Sequence, residues 1–187
     1  MTFFRQVWYN IDEAVYVTGI RDTETTMIFD THAHYDDEAF AEDKEELLAS
    51  FKRRGMLLCN IGSDMKGSEE SIRLARRYPF VYAAVGLHPD YAADWGEAAK
   101  KELIRLAADP KCVAIGEIGL DYHYDFSPRE IQRQRFEEQM ELARELGKPV
   151  IIHEREACAD TLSVITRYRD VPGVVHCFSG SWETAKV

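Results

Sequence analysis

Met27-Ile28-Phe29-Asp30-Thr31-His32-Ala33-His34 sets a short apolar run directly ahead of two histidines. Met27–Thr31 reads as a buried strand. In extended chain, residues two apart face the same way, so His32 and His34 form a chelating pair at its end. The same pattern recurs along the chain. Apolar runs rich in Val, Ile and Leu stand at Met56–Ile61, Phe80–Val85, Cys112–Gly116, Val150–His153 and Gly173–Cys177. Such runs, bounded by Gly or Pro, read as buried parallel strands, and the amphipathic stretches between them as crossover helices. Six strands alternating with helices give an α/β domain with a parallel sheet. A doubly wound sheet and a barrel both fit that count.

The polar residues at the strand ends decide between the two. Glu117 follows the fourth run, His153 closes the fifth and His176 lies at the end of the sixth. Four strands thus each deliver an imidazole or a carboxylate at the same end. In a (β/α) barrel those ends converge on one mouth, where the active sites of the fold lie. A single histidine in an apolar strand is more often a hydrogen-bonded core residue. Five such residues in register point instead to a metal site. Neutral imidazole with carboxylate suits zinc, manganese or iron, whereas magnesium prefers more oxygen ligands. Cys177, adjacent to His176, is expected to face the helix layer as a core residue.

The clearest helix is Pro128–Leu146. Ser127 with Glu130 reads as a capping box, with Pro128 at the first helical position. Ile131, Gln132, Phe136, Met140, Ala143 and Leu146 form the inward face. Gly147 closes the helix and Pro149 prevents its continuation.

With 187 residues, 45% of them hydrophobic and 30% charged, the chain suits one globular domain and not a disordered segment. No stretch approaches the roughly 18 apolar residues of a membrane helix, and no signal peptide is read, so a cytoplasmic protein without membrane partners is expected. The four cysteines, Cys59, Cys112, Cys158 and Cys177, form no CxxC pair and are expected to be reduced thiols. Residues 1–26 lack a clear period and read as an N-terminal extension, or alternatively as a docking segment carrying Phe3, Phe4, Trp8 and Tyr9. The net charge of −10 offers no basic stripe for wrapping duplex DNA, so a nucleic-acid substrate would be held locally, as a strand end or single strand.

From Met27 to its end the chain resembles the TatD family of metal-dependent deoxyribonucleases, within the amidohydrolase-like barrels. The matching segments are Phe29-Asp30-Thr31-His32-Ala33-His34, Val85-Gly86-Leu87-His88-Pro89, Ala114-Ile115-Gly116-Glu117-Ile118-Gly119-Leu120-Asp121-Tyr122, Lys148-Pro149-Val150-Ile151-Ile152-His153 and Val175-His176-Cys177-Phe178-Ser179-Gly180. An HxH pair alone is common to many barrel hydrolases; all five segments in this order are specific. The resemblance implies a TIM-type barrel and a metal-dependent hydrolase of nucleic-acid phosphodiesters, often a 3′→5′ exonuclease on single-stranded DNA or RNA. It implies two divalent cations (Zn, Mg or Mn), with His32 and His34 on one, His153 and His176 on the other and Glu117 bridging. It also puts His88, Asp121, Tyr122, Arg155 and Ser179 near the mouth, where they could meet substrate; His88 before Pro89 can equally be a turn-shaping residue, and Arg155 a solvated charge. An alternative is hydrolysis of amides or small phosphate esters at the same site.

Length sets a further expectation. TIM barrels typically run to about 250 residues. The part from Met27 onward holds about six βα units of eight at roughly 27 residues each, so the barrel is expected to be incomplete. The aspartate that family members carry after the eighth strand, as metal ligand and general base, has no counterpart among these residues. A truncated, silent metal-binding fragment, self-association or a complementing C-terminal fragment are the corresponding alternatives.

Overall fold

Each of the six apolar runs forms a strand, and each polar stretch folds back as a helix. The structure is a computed structural model that describes residues 28–187; the expected extension over 1–26 and Met27 lie outside the described residues. The strands are β1 (Phe29–Ala33), β2 (Leu57–Ile61), β3 (Val81–Val85), β4 (Cys112–Asp121), β5 (Val150–Arg155) and β6 (Gly173–Val175). The helices are α1 (Lys44–Arg53), α2 (Met65–Arg77), α3 (Glu97–Ala107), α4 (Arg129–Leu146), α5 (Cys158–Ile165) and α6 (Trp182–Ala185). All neighbouring strands are parallel, in the order β1-β2-β3-β4-β5-β6. A doubly wound sheet reverses direction at a switch point. This one never reverses, which is the order of a (β/α) barrel carried through six strands. Among the described residues, β1 and β6 are its two edges.

The sheet separates two apolar layers. The larger packs strand residues such as Leu58, Ile115, Ile118 and Ile152 against helix residues such as Leu48, Ile72, Leu103, Phe136 and Met140. The smaller holds Cys59, Ile61, Ala84, Ala114 and Ile151 on the opposite, inner face. Alternation along a strand explains the split. Ile152 points to the helices, while Ile151 and His153 share the inner side. β4 breaks this rhythm, because its register with β5 shifts between Ile115 and Ile118, both of which face the helices. A register irregularity of this kind re-aims the side chains it spans, and here the re-aimed residue is Glu117.

The strand boundaries moved where the chemistry lies. β4 continues past Gly116 to Asp121, and β5 continues past His153 to Arg155. β6 is shorter than the apolar run and ends at Val175. Cys177 is therefore not a core residue as expected: the chain has left the strand, its φ is 47°, and the thiol is exposed. The four cysteines are free, as read. No helix among the described residues is long and apolar enough to cross a membrane.

Helix α4 fixes two loops at once. Phe136, Met140 and Ala143 are buried as the pattern required, with Leu142 beside them; Ile131 and Leu146 are only half-buried. Gln132 and Gln139 are buried polar groups whose amides bond backbone. Gln139 accepts from Leu87 N–H (2.8 Å) and donates to Leu87 C=O (3.0 Å). Gln132 accepts from Asp121 N–H (2.9 Å) and donates to the carbonyls of Asp121 (2.9 Å) and Ser127 (2.8 Å). The expected capping box does not form. Pro128 is itself the N-cap residue, and the buried Ser127 hydroxyl donates instead to the Asp90 carbonyl at 3.0 Å. The tertiary bond to the Asp90 loop has displaced the local cap. Gly147, at φ 63°, closes the helix as read.

Gly119 marks the tightest approach between β4 and β5. Its φ is +140°, and a Cβ there would fall 2.0 Å from the His153 carbonyl oxygen. Gly119→Ala should therefore lose about 2 kcal/mol or more of stability. Urea unfolding of the two proteins measures this; equal midpoints would show that β5 can move aside.

Candidate metal centre

The inner face at the C-terminal ends of β1, β4, β5 and β6 gathers four imidazoles around one carboxylate. Glu117, only 4% exposed, stands at the centre. Its Oε2 faces His32 Nε2 (3.4 Å) and His34 Nε2 (3.7 Å). Its Oε1 faces His176 Nε2 (2.7 Å) and His153 Nδ1 (2.9 Å). Each oxygen thus faces two histidines, Oε2 the pair that the family resemblance implies for one cation and Oε1 the pair it implies for the other. The two sets also interlock. His32 and His176 stack with ring centroids 3.9 Å apart, and His153 Nδ1 lies 3.3 Å from His176 Nε2.

His88 completes the ring. Sequence reading placed it only near the mouth, as a substrate contact or a turn former. Its Nε2 lies 4.0 Å from Glu117 Oε1, and two ligand triads are compact enough for a cation: His32 with Glu117 and His176, and His88 with Glu117 and His153. The signal was present in the sequence as one more histidine at a strand exit, after β3. Burial pushes the His88 imidazole down to about 4, against the pull of Glu117. It is therefore uncharged near neutral pH. Its Nδ1 meets Asp90 N–H at 3.2 Å and Asp90 Oδ2 at 3.4 Å. Asp90 was not anticipated, and its Oδ1 is buried without a hydrogen-bond partner.

The donor chemistry fits divalent cations. The backbone carbonyl of Ile61 accepts from His34 Nδ1 at 2.9 Å, since a carbonyl cannot donate. In the neutral ring this leaves the Nε2 lone pair directed at His32 and Glu117. His32 Nε2 lies only 3.0 Å from His34 Nε2, while its Nδ1 is buried with no partner. With His34 Nε2 as acceptor, the His32 proton lies on Nε2; once it is released, two ring nitrogens converging beside a carboxylate are the donor set that zinc or manganese takes. Asp121 supplies the outer support that such histidines usually have. Its Oδ2 lies 3.1 Å from His153 Nε2, and its Oδ1 accepts from the N–H groups of His123 and Tyr124, both at 2.9 Å.

Charge follows from these contacts. Burial alone would raise the Glu117 pKa, but hydrogen bonds from His153, His176 and His32 outweigh it and hold the carboxyl ionised, well below its usual range. Burial would lower the His153 pKa, but its bonds to Glu117 and Asp121 reverse that and raise it above the ordinary imidazole value. Two of the other expected contacts are not brought to the cluster. The Tyr122 hydroxyl donates to Asp160 at 2.6 Å, toward α5, and Ser179 lies exposed beyond β6. Arg155, at the end of β5, is exposed and lies with its guanidinium over the Tyr124 ring.

Comparison with known proteins places the chain in a family. The profile of the family described as "TatD related DNase" matches residues 29–187. The chain is 39% identical over 163 residues to the uncharacterized metal-dependent hydrolase YabD of Bacillus subtilis (strain 168), covering 86% of this chain and 64% of that protein. It is 36% identical over 159 residues to the 3′-5′ ssDNA/RNA exonuclease TatD of Salmonella typhimurium, covering 82% of this chain and 60% of that one. Among solved structures, YjjV, a TatD homolog from Escherichia coli K12, superposes with a TM-score of 0.77 at 32% identity, over 85% of this chain and 63% of that chain. The chain thus spans less than two thirds of the length of these relatives.

Metal binding should compete with protons at His153, not at Glu117, because only the imidazole holds a proton near neutrality. Its raised pKa means that affinity is greatest above that raised value and falls as the pH drops through it, by up to about tenfold per pH unit. Calorimetric titration with Mn²⁺ at pH 8 and pH 6 should show weaker binding at pH 6, with proton release to the buffer. Glu117→Gln should remain folded yet bind at least about tenfold more weakly. Unchanged metal content in that variant would remove Glu117 from the centre.

Proposed function

The chain belongs to the TatD-related DNase family, and from that premise we propose that it is a metal-dependent hydrolase of phosphodiester bonds, acting at the 3′ end of single-stranded DNA or RNA. The observation that carries this reading is Glu117, with each carboxylate oxygen turned to a different histidine pair at the mouth of the sheet. His32 and His34 would hold one cation and His153 and His176 the other, with Glu117 between them. His88 stands beside the second set. Divalent cations supply Lewis acidity to a phosphoryl oxygen and lower the pKa of a coordinated water.

The chain's own residues prepare the site for that chemistry. Glu117 holds a permanent negative charge that offsets part of the charge of the cations. The Ile61 carbonyl fixes the His34 tautomer, so that Nε2 keeps its lone pair. Asp121 fixes the His153 ring from the other side by accepting a hydrogen bond from its Nε2. His88 stays uncharged at neutral pH, so it adds no positive charge beside the cations; its Nδ1 accepts from the Asp90 N–H, which leaves the ring proton on the Nε2 that faces Glu117. The net charge of −10 suits a substrate held at one end by the centre and not along an extended basic groove.

Two measurements test the proposal. With Mn²⁺ present, single-stranded DNA bearing a free 3′ end should be shortened, with turnover exceeding that on panels of amides, phosphomonoesters and small phosphate diesters. Preference for one of the panels would replace the nuclease reading with a small-molecule hydrolase. Log affinity for the strand should fall with log salt with a slope shallower than about −4, since few phosphates meet Lys or Arg. A steeper slope would reveal a phosphate-binding track.

A further inference from the structure

The segment between β4 and α4 leaves its aromatic residues in solvent. Phe126 is 70% exposed and Tyr124 51% exposed, and their rings lie parallel, 3° apart in plane with centroids at 5.4 Å. Aromatic rings stacked on each other in solvent leave their outer apolar surface unburied, so they call for an occupant. The Arg155 guanidinium lies over the Tyr124 ring, 4.8 Å from its centroid, and the His123 ring meets the Tyr124 edge at 4.7 Å. Tyr124 is thereby held in place by its neighbours, while Phe126 presents the more open surface.

Two ties bind this ledge to the histidine cluster. The first is Asp121. One of its oxygens bonds His153, and the other accepts the N–H groups of His123 and Tyr124, so the ledge hangs on a carboxylate that supports the cluster. The second is β5. Arg155 lies two residues beyond His153 and so on the same side of the strand, about 7 Å further toward the mouth. That step is comparable to the reach from a phosphate to the base of its own nucleotide. The surrounding charges argue for a base and not a phosphate as the occupant. Asp125 is paired with Arg129 at 2.7 Å, and Glu156 with His123 at 2.8 Å. The Arg129 charge is thus spent on Asp125 and Glu156 is a carboxylate, so what the rim offers outward is π-surface with one cation, Arg155, behind it, and not a cradle for phosphate.

We infer that Tyr124 and Phe126 form a stacking platform for a nucleobase of a single strand whose phosphodiester lies at the Glu117 cluster. The inference rests on the nuclease reading for the position of the phosphodiester. Stacking on aromatic side chains is tolerant of base identity, because every base has a π-face. The platform would therefore select an unpaired nucleotide without selecting its sequence, and would disfavour duplex, whose bases are already stacked.

The test compares two ten-nucleotide strands with hydrolysis-resistant phosphorothioate linkages, one with all bases and one abasic at its last two 3′ positions. Binding is read on the full chain with Mn²⁺. The intact strand should bind at least about fivefold more tightly than the abasic strand. That ratio should fall toward one in Tyr124→Ala/Phe126→Ala and survive in Phe126→Tyr. A 2-aminopurine near the 3′ end should be quenched on binding the wild type and not the double variant. Equal affinity for the two strands, or a ratio unchanged by the double substitution, would overturn the platform. Cleavage of ordinary strands is read separately. Cleavage without a base preference removes the platform and keeps the nuclease, whereas a base preference without cleavage keeps the platform and removes the nuclease. Both side chains are solvent-exposed, so their replacement leaves the core packing untouched.

Discussion

A buried carboxylate in the middle of four imidazoles is the constraint from which the rest of this molecule follows. An ionised side chain taken out of water costs several kcal/mol unless partners replace its hydration. Glu117 has only 4% of its surface exposed, and its two oxygens are met entirely by ring nitrogens from other strands. Those nitrogens must come from the C-terminal ends of β1, β5 and β6, and the sheet must curl for them to meet. The unreversed strand order and the inner position of Glu117 are thus two aspects of one requirement. Divalent cations relieve the same problem from the other direction, by giving the nitrogen lone pairs something to point at.

The framework around the cluster is built from close backbone approach. A Cβ on Gly86 would lie 2.9 Å from the Gly116 carbonyl carbon, and one on Gly119 would collide with the His153 carbonyl. β3, β4 and β5 therefore meet more closely at the mouth than side chains elsewhere would permit. The strand that carries Glu117 is also one whose alternation is broken, between Ile115 and Ile118. Local irregularity and tight approach occur together at the place where the chemistry needs a side chain out of its regular position.

Much of this was legible in the sequence. The six strands, their parallel sense and the placing together of His32 and His34 follow from runs of apolar residues and from the two-residue period. The joining of His153, His176 and Glu117 follows from their places at strand ends. What escaped was set by tertiary contact. Ser127 has the spacing of a capping residue, but its hydroxyl bonds the Asp90 loop, 37 positions away in sequence. Cys177 sits where a continued strand would bury it, but β6 stops at Val175 and the chain turns out. The sequence leaves His88 open between a substrate contact and a turn former before Pro89; its approach to Glu117 depends on how far β3 leans toward β4, which no periodicity records. Tyr122 shares a motif with Glu117 and Asp121 yet turns its hydroxyl to Asp160.

Gln132 and Gln139 lie seven residues apart, close to two turns of helix, so both amides leave α4 on nearly the same side. One clasps the backbone of Asp121 and the other that of Leu87. This makes the length of the helix between them a fixed quantity. Inserting or deleting a single residue within that interval rotates one amide by about 100° relative to the other. The two loops that carry Asp121 and His88 would then no longer be gripped together. In this chain the interval of α4 between the two glutamines therefore has a fixed length, a constraint that the connections no glutamine spans do not carry. A helix without a single residue in the histidine cluster thereby sets the spacing of the two loops beside it.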